Sequence, residues 1–303
     1  MTQALLETIR KRKRETDTVV LAHTYQPPEI IESADITGDS FALAKAAAKL
    51  ENKRVIMCGV RFMAESVKIL APEKQVLLPA PDAGCGMAKM ITAEEILAWK
   101  QEHPNAAVCA YINTTAAVKA VCDVCVTSSS ALKIVSKLDA EEILFLPDRN
   151  LGGWIAAQLP EKHITLWNGY CPVHDNVTEQ QVLKAKKDHP EALLAVHPEC
   201  RKEVVRHADM AGSTAEIIDF ALKSEKPVII GTERGVADTL TGQYPNRAFH
   251  YLCPETLTCP DMKYISPELL LQCIDGEAGE EIKLDESLRL AAKKSIDRML
   301  ELG

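Results

Sequence analysis

Asn168-Gly169-Tyr170-Cys171-Pro172-Val173-His174 is the stretch whose reading decides the fold, because its cysteine is the middle one of three at matching places in the chain. Cys85 lies 86 residues before Cys171 and Cys259 lies 88 residues after it. Each is followed, seven residues on, by a hydroxyl residue able to cap a helix: Thr92, Thr178 and Ser266. Thr92 with Glu95 and Thr178 with Gln181 spell capping boxes, and Ser266 precedes Pro267 at a first helical position. One cysteine per repeat at equal phase points to three thiolates converging on one centre.

Working outward, the repeats have a common grammar. The first reads as a charged helix over 3–14, a buried strand Val19–Ala22 ending at His23, and a break at Pro27-Pro28. A short strand over 34–37, a helix after Ser40, a strand over 55–58, a helix over 62–70 and a strand over 75–78 then lead to Cys85. The second repeat has strands over 107–110, 123–126, 143–146 and 164–167, and the third over 193–196, 209–211, 228–230 and 248–251. Short apolar strands alternating with helices imply parallel sheets covered on both faces. The expected fold is α/β: three homologous αβα units, 1–91, 92–177 and 178–265, in a pseudo-threefold triangle around a central active site. The segment 266–303, with its final helix from Asp285 to Leu302, is expected to pack back on the first unit.

Aligned on Asp35, Asp123 and Asp209, other residues fall into phase. Twelve positions earlier stand His23, Tyr111 and His197; ten earlier stand Tyr25, Asn113 and Glu199; five later stand Ser40, Ser128 and Thr214. All nine lie where the carboxyl ends of parallel strands build ligand sites. A single Ser or Thr there is an ordinary N-cap, but the triplet, with Ser213 beside Thr214, suggests anion binding at helix N-termini. The histidines, with Tyr25 and Glu199, suggest general acid and base work. Glu199 is expected to have its pKa raised by burial. The in-phase aspartates read as structural.

Ten cysteines and a net charge of −8 bound the remaining possibilities. No basic stripe offers a nucleic-acid surface; the only basic block, Arg10 to Arg14, runs around a helix and reads as a solvated last turn. No apolar run approaches a membrane span and no signal peptide is visible, so the chain is expected to be cytoplasmic, with cysteines serving metal or redox chemistry rather than disulfides. Three thiolates leave a tetrahedral zinc site short of a ligand, which His174 could supply. They also suit an iron-sulfur cluster with one iron free of protein ligands, a Lewis acid. Cys122-x-x-Cys125 is a rival motif but sits in a strand, and Cys253 competes with Cys259.

Leu21-Ala22-His23-Thr24-Tyr25-Gln26, Gly38-Asp39-Ser40, Phe62-Met63-Ala64-Glu65, Cys85-Gly86-Met87-Ala88 and Tyr111-Ile112-Asn113-Thr114 resemble segments of quinolinate synthase, a bacterial and archaeal family of NAD biosynthesis. Further on stand Pro147-Asp148-Arg149-Asn150-Leu151-Gly152, Cys171-Pro172-Val173-His174, His197-Pro198-Glu199-Cys200, Gly212-Ser213-Thr214, Gly231-Thr232-Glu233 and Cys259-Pro260-Asp261-Met262. Thr24 and Ser130 stand where the family usually has Asn, and Lys89 where a smaller polar residue is usual.

The resemblance implies a [4Fe-4S] cluster with three cysteine ligands, here Cys85, Cys171 and Cys259, and one open iron site. It implies condensation of iminoaspartate with dihydroxyacetone phosphate to quinolinate, with loss of phosphate and water. Ser40 and Ser128 then look like phosphate contacts. Tyr111, Asn113, His197, Ser213 and Thr214 look like contacts to substrate carboxylates and carbonyl, and His23, Tyr25 and Glu199 like the proton-transfer set. An iminoaspartate-producing enzyme is an implied transient partner. Two alternatives remain open at this point: a related three-cysteine enzyme of diphthamide type, and a non-catalytic iron-sulfur sensor.

Overall fold

Three sheets with the same strand order carry the chain. The computed structural model describes residues 2–303. The first sheet holds β1 (Thr18–His23), β2 (Ile36–Gly38), β3 (Arg54–Cys58) and β4 (Gln75–Leu78). The second holds β5 (Ala107–Tyr111), β6 (Val124–Val126), β7 (Ile143–Leu146) and β8 (Ile164–Leu166), and the third β9 (Leu193–Val196), β10 (Met210–Ala211), β11 (Val228–Gly231) and β12 (Phe249–Tyr251). Each runs second strand, first, third, fourth, all parallel; β13 (Glu280–Glu281) adds an antiparallel edge to β4. The α/β class and the parallel sheets expected from the alternating pattern are present.

The helices between them are α1 (Gln3–Glu15), α2 (Pro28–Ser33), α3 (Ser40–Ala47), α4 (Arg61–Leu70), α5 (Ala93–Glu102), α6 (Ala116–Val121), α7 (Ala131–Lys137) and α8 (Arg149–Gln158). There follow α9 (Pro172–Asp175), α10 (Glu179–Asp188), α11 (Lys202–Val205), α12 (Thr214–Lys223), α13 (Gly235–Gln243), α14 (Pro267–Asp275) and α15 (Glu286–Leu302). Both capping boxes form, at Thr92 with Glu95 and at Thr178 with Gln181, and the Ser266 hydroxyl accepts from Leu269 N–H with Pro267 at the first helical position. The Pro27-Pro28 break is a correction. Pro28 opens α2, since a proline at the first helical position loses no hydrogen bond and its φ is already helical.

The in-phase aspartates fix each sheet's first crossover. Asp35 Oδ2 accepts Val20 N–H at 2.8 Å while Asp35 N–H donates to Val20 O at 2.8 Å. Asp123 does the same with Val108, at 2.7 and 3.0 Å, and Asp209 with Leu194, at 2.8 and 2.9 Å. Lys13, Lys100 and Lys186 stand beside them at 2.7, 3.0 and 3.6 Å. A reciprocal pair pins second strand to first, so the register, and with it which residues reach the strand ends, follows from one carboxylate per repeat.

The chain divides into two units, Met1–Cys85 with Cys259–Leu290 and Gly86–Thr258 with Ala291–Gly303. In the first, Arg54 guanidinium hydrogens donate to the carbonyls of Cys273 and Ile274, capping α14, and Arg12 pairs with Asp275 at 2.6 Å. Gly279, at φ +91°, leads into β13; a Cβ there would meet Cys273 Sγ at 2.8 Å, so the close turn needs glycine. In the second unit, Ala292, Ile296 and Met299 of α15 are buried, and Ser295 Oγ donates to Lys119 O at 2.8 Å. The final turn receives Lys133 Nζ on Gly303 O and Lys137 Nζ on Leu302 O. Residues 291–303 therefore pack with the second sheet's helices. No helix among the described residues is long and apolar enough to cross a membrane.

Candidate active site

In the second unit, buried polar groups from the ends of β5, β8, β9 and β11 meet around Glu199. The loop after β9 is a tight turn: His197 Nδ1 accepts Glu199 N–H at 3.3 Å and His197 O accepts Cys200 N–H at 3.0 Å. That turn points the Glu199 side chain at His174, whose Nδ1 lies 2.8 Å from Oε2. Cys171 is the N-cap of α9, and one turn of helix places His174 on its face, Nδ1 3.3 Å from Cys171 Sγ. His174 Nε2 is bonded to Thr232 Oγ1 at 3.0 Å, and the His197 ring lies 5.0 Å from that of His174. Tyr111, at the end of β5, donates its hydroxyl to Glu199.

The electrostatics correct one expectation. Burial does press the Glu199 carboxylate toward its neutral form, but His197, His174 and the hydrogen bonds from His174 and Tyr111 outweigh it, and its pKa is lowered. On Asp148 burial prevails: with the Glu199 charge adding to it, the pKa is pushed well up against three backbone N–H bonds that favour the carboxylate. The pKa values of two carboxyls in one site are thus driven in opposite directions, Glu199 down and Asp148 up. Burial also lowers His197 to about 4, with His174 adding to the effect, so this imidazole is neutral at pH 7.

The Pro147–Gly152 segment braces this arrangement. Asp148 Oδ1 accepts Asn150 and Leu151 N–H at 2.8 Å each, capping α8, and Oδ2 accepts Cys171 N–H at 3.1 Å. Asn150 Nδ2 donates both to Asp175 Oδ1 at 2.8 Å and to Glu199 O at 2.9 Å, tying the cysteine's segment to the glutamate's. Lys119, fully buried, donates from Nζ to Ile112 O at 2.8 Å and to Thr114 O, holding the carbonyls on both sides of Asn113. Ser128 is half-buried, and its hydroxyl has no partner among the described residues. Ser213 is already committed, its hydroxyl closing a capping box with Glu216, while Thr214 opens α12.

The first unit holds the other predicted positions. His23 Nδ1 accepts Tyr25 N–H at 3.2 Å, and the two rings meet edge to face at 4.6 Å. Lys263 Nζ donates to Tyr25 O and Gln26 Nε2 to Met262 Sδ at 3.4 Å, so the segment after Cys259 is tied to the loop that carries Tyr25. Ser40 is the first residue of α3, whose N-cap is Asp39.

The ten cysteines separate cleanly, with no disulfide among the described residues. Cys85, Cys171 and Cys259 are half-buried; the other seven are buried, and burial pushes their thiols up, Cys253 and Cys273 to about 11. Cys122 Sγ donates to Val118 O and Cys125 Sγ to Ser295 Oγ, which occupies the rival motif in the core. Sequence reasoning treated His174 only as a spare zinc ligand and gave Asp148, Asn150 and Thr232 no role. Their signal lay in the quoted segments, but the bonds of His174 and Asn150 to Glu199, and of Thr232 to His174, cross between the second and third repeats.

The family model described as "Quinolinate synthetase A protein" matches residues 7–301. The chain is 47% identical over 296 residues to a quinolinate synthase of Caldicellulosiruptor saccharolyticus, covering 97% of each chain. It is 46% identical over 292 residues to one of Clostridioides difficile, covering 96% of each. To one of Aquifex aeolicus it is 43% identical over 306 residues, covering 99% of this chain and 94% of the relative. A buried Glu–His–Tyr cluster beside a cysteine, in a chain matched end to end by these enzymes, places the protein in the quinolinate synthetase A family, as an enzyme of the quinolinate synthase type.

Proposed function

We propose that the chain makes quinolinate for NAD biosynthesis by condensing iminoaspartate with dihydroxyacetone phosphate, with loss of phosphate and water, and that Cys85, Cys171 and Cys259 hold a [4Fe-4S] cluster with one open iron. The observation that carries the reading is the buried Glu199, ionised and bonded to His174 and Tyr111, next to Cys171. The cysteine set suits the cluster: these three are the half-buried ones, whereas burial holds the other seven as thiols, unfit as thiolate ligands. When bound, the open iron supplies a Lewis acid toward a substrate oxygen or nitrogen.

The chain's own residues supply the proton chemistry and the binding. Glu199 takes the proton in the enolisation step, and His174, bonded to Glu199 on one side and Thr232 on the other, passes protons onward. Neutral His197 donates its Nε2–H to a substrate oxygen, and Tyr111, its one hydrogen held by Glu199, meets the substrate through its hydroxyl oxygen, with Asn113 presented by the clamped Ile112–Thr114 loop. Thr214 and Ser213 lie at the α12 N-terminus, favourable to a carboxylate. The hydroxyls of Ser40 and Ser128 are available to phosphate, and His23 with Tyr25 completes the proton-transfer set. The same reading arranges the repeats 1–91, 92–177 and 178–265 around a pseudo-threefold axis; the shared strand order and the shared aspartate bond support it. It also makes the protein cytoplasmic and gives it an iminoaspartate-producing enzyme as transient supplier.

The test is an anaerobic assay of iron-loaded protein with freshly generated iminoaspartate and dihydroxyacetone phosphate, with Cys171→Ala as control. Quinolinate from the parent alone is the expected result. No quinolinate from a chain that carries its full cluster would overturn the reading.

A further inference from the structure

The three predicted cluster cysteines are not equivalent. Three residues after each stand Ala88, His174 and Met262, and only the middle one is an imidazole. At the phase of Glu199 the other repeats have Tyr25 and Asn113. Cys171 alone therefore has an imidazole one helical turn away and a carboxylate beyond it. Cys171 Sγ, a His174 ring nitrogen and a Glu199 carboxylate oxygen all lie within 4.8 Å of one another.

We infer that the iron-free chain holds one Zn²⁺ ion on Cys171 Sγ, His174 Nδ1 and a Glu199 carboxylate oxygen, with the fourth position left to water. Tetrahedral zinc with bonds of about 2.0–2.3 Å places its donor atoms roughly 3.3–3.6 Å apart. Nδ1 is already 3.3 Å from Sγ and 2.8 Å from Oε2, so a rotation of the Glu199 side chain completes the set. Thiolate, imidazole and carboxylate together suit zinc and do not suit magnesium or calcium.

The outer contacts match what a metal-bound histidine needs. With zinc on Nδ1, the bound imidazole carries its one proton on Nε2, and the cysteine binds as thiolate with its proton released to solvent. Thr232 Oγ1, 3.0 Å from Nε2, can accept as readily as donate, so that bond persists and orients the ring. His197 stays outside the set, because its Nδ1 accepts Glu199 N–H. A zinc ion here occupies Cys171, so it blocks cluster loading. That consequence rests on the cluster reading above, whereas zinc binding itself does not.

Full-length, metal-free, thiol-reduced protein would be titrated with Co²⁺ and then Zn²⁺ under argon. One equivalent of cobalt is expected to give a thiolate-to-cobalt band and tetrahedral visible absorption, both removed by one equivalent of zinc. Cys171→Ala should abolish the band, His174→Ala should weaken binding at least about tenfold, and Thr232→Val, which keeps all three ligands, should weaken it about tenfold. Melting temperatures of the variants identify any that fail to fold, and Thr232→Val keeps the test decisive if His174→Ala does. A band that survives Cys171→Ala overturns the inference. So does one unchanged in His174→Ala and Glu199→Gln but lost in Cys85→Ala and Cys259→Ala, which is three-cysteine binding. Iron loading without zinc tests the cluster separately: a chain that takes no cluster yet gives the cobalt band refutes the proposed function and keeps this inference.

Discussion

The loop after β1 and the loop after β9 share one backbone and differ in what it presents. In both, the histidine's Nδ1 accepts the N–H two residues on, at 3.2 Å in His23-Thr24-Tyr25 and 3.3 Å in His197-Pro198-Glu199. In both, the histidine's carbonyl accepts the N–H three residues on, at 2.9 and 3.0 Å. The side chain in the middle of this shared turn then diverges. Tyr25 folds against its own histidine, while Glu199 reaches across to a histidine of the preceding repeat. A repeated frame thus delivers side chains to a fixed place, and their chemistry is chosen one residue at a time.

The largest effect should come from the side chain that reaches out. Glu199→Gln keeps the turn and the hydrogen bonds a carbonyl can accept, but removes the base, so kcat should fall about 10³-fold with iron content unchanged. The matching change in the other loop, Tyr25→Phe, keeps the edge-to-face ring contact and removes one proton-transfer hydroxyl; kcat/KM should fall about 10²-fold, the lower end for such a group. Equal losses in steady-state kinetics would break the contrast between the two loops.

A second contrast is in proton linkage. His197 has a folded pKa depressed from 6.5 to about 4, so between these values the unfolded chain binds the proton that the folded chain refuses. Its contribution is present above pH 6.5 and is lost as the pH falls, by roughly 3 kcal/mol across the window. Glu199, also depressed, adds to the loss below its unfolded value of 4.5, and Asp148, raised, works in the opposite direction. Urea midpoints for wild type and His197→Gln isolate the histidine: the variant's profile should be flatter between pH 6.5 and 4.5. Parallel profiles would mean that His197 titrates normally.

These loops also mark where sequence stops being informative. Strands, capping boxes and the phase of the nine positions are local patterns, and nearly all the strands expected from them are present. The aspartates were legible as structural because no chemistry required them, and their partners are N–H groups of the first strand. What failed depended on which partners a side chain meets, near or far in sequence, rather than on its own type. Burial alone predicted a raised Glu199; the lowering comes first from His197, two residues away, and then from His174 and Tyr111, 25 and 88 residues away. The two-residue β13, polar and antiparallel, has no periodicity to read. Ser213 matched the anion-binding pattern, yet Glu216, three residues on, takes its hydroxyl.

The smallest expected effect concerns the residue between His23 and Tyr25. Thr24 N–H donates to Gly38 O at 3.0 Å, which fixes the loop, but Thr24 Oγ1 is buried without a hydrogen-bond partner among the described residues. The corresponding Pro198 has no side-chain polar atom to satisfy. A buried hydroxyl that exchanges water for nothing costs about 1 kcal/mol, and valine has the same shape without that oxygen. Thr24→Val should therefore raise the melting temperature by about 2 °C and leave kcat/KM unchanged, since the frame atoms of the turn are untouched. A lower melting temperature with intact kinetics would place an ordered water on Thr24 Oγ1. A higher KM at unchanged stability would make the hydroxyl a substrate contact, and the first loop would then present two chemical groups where the third repeat presents one.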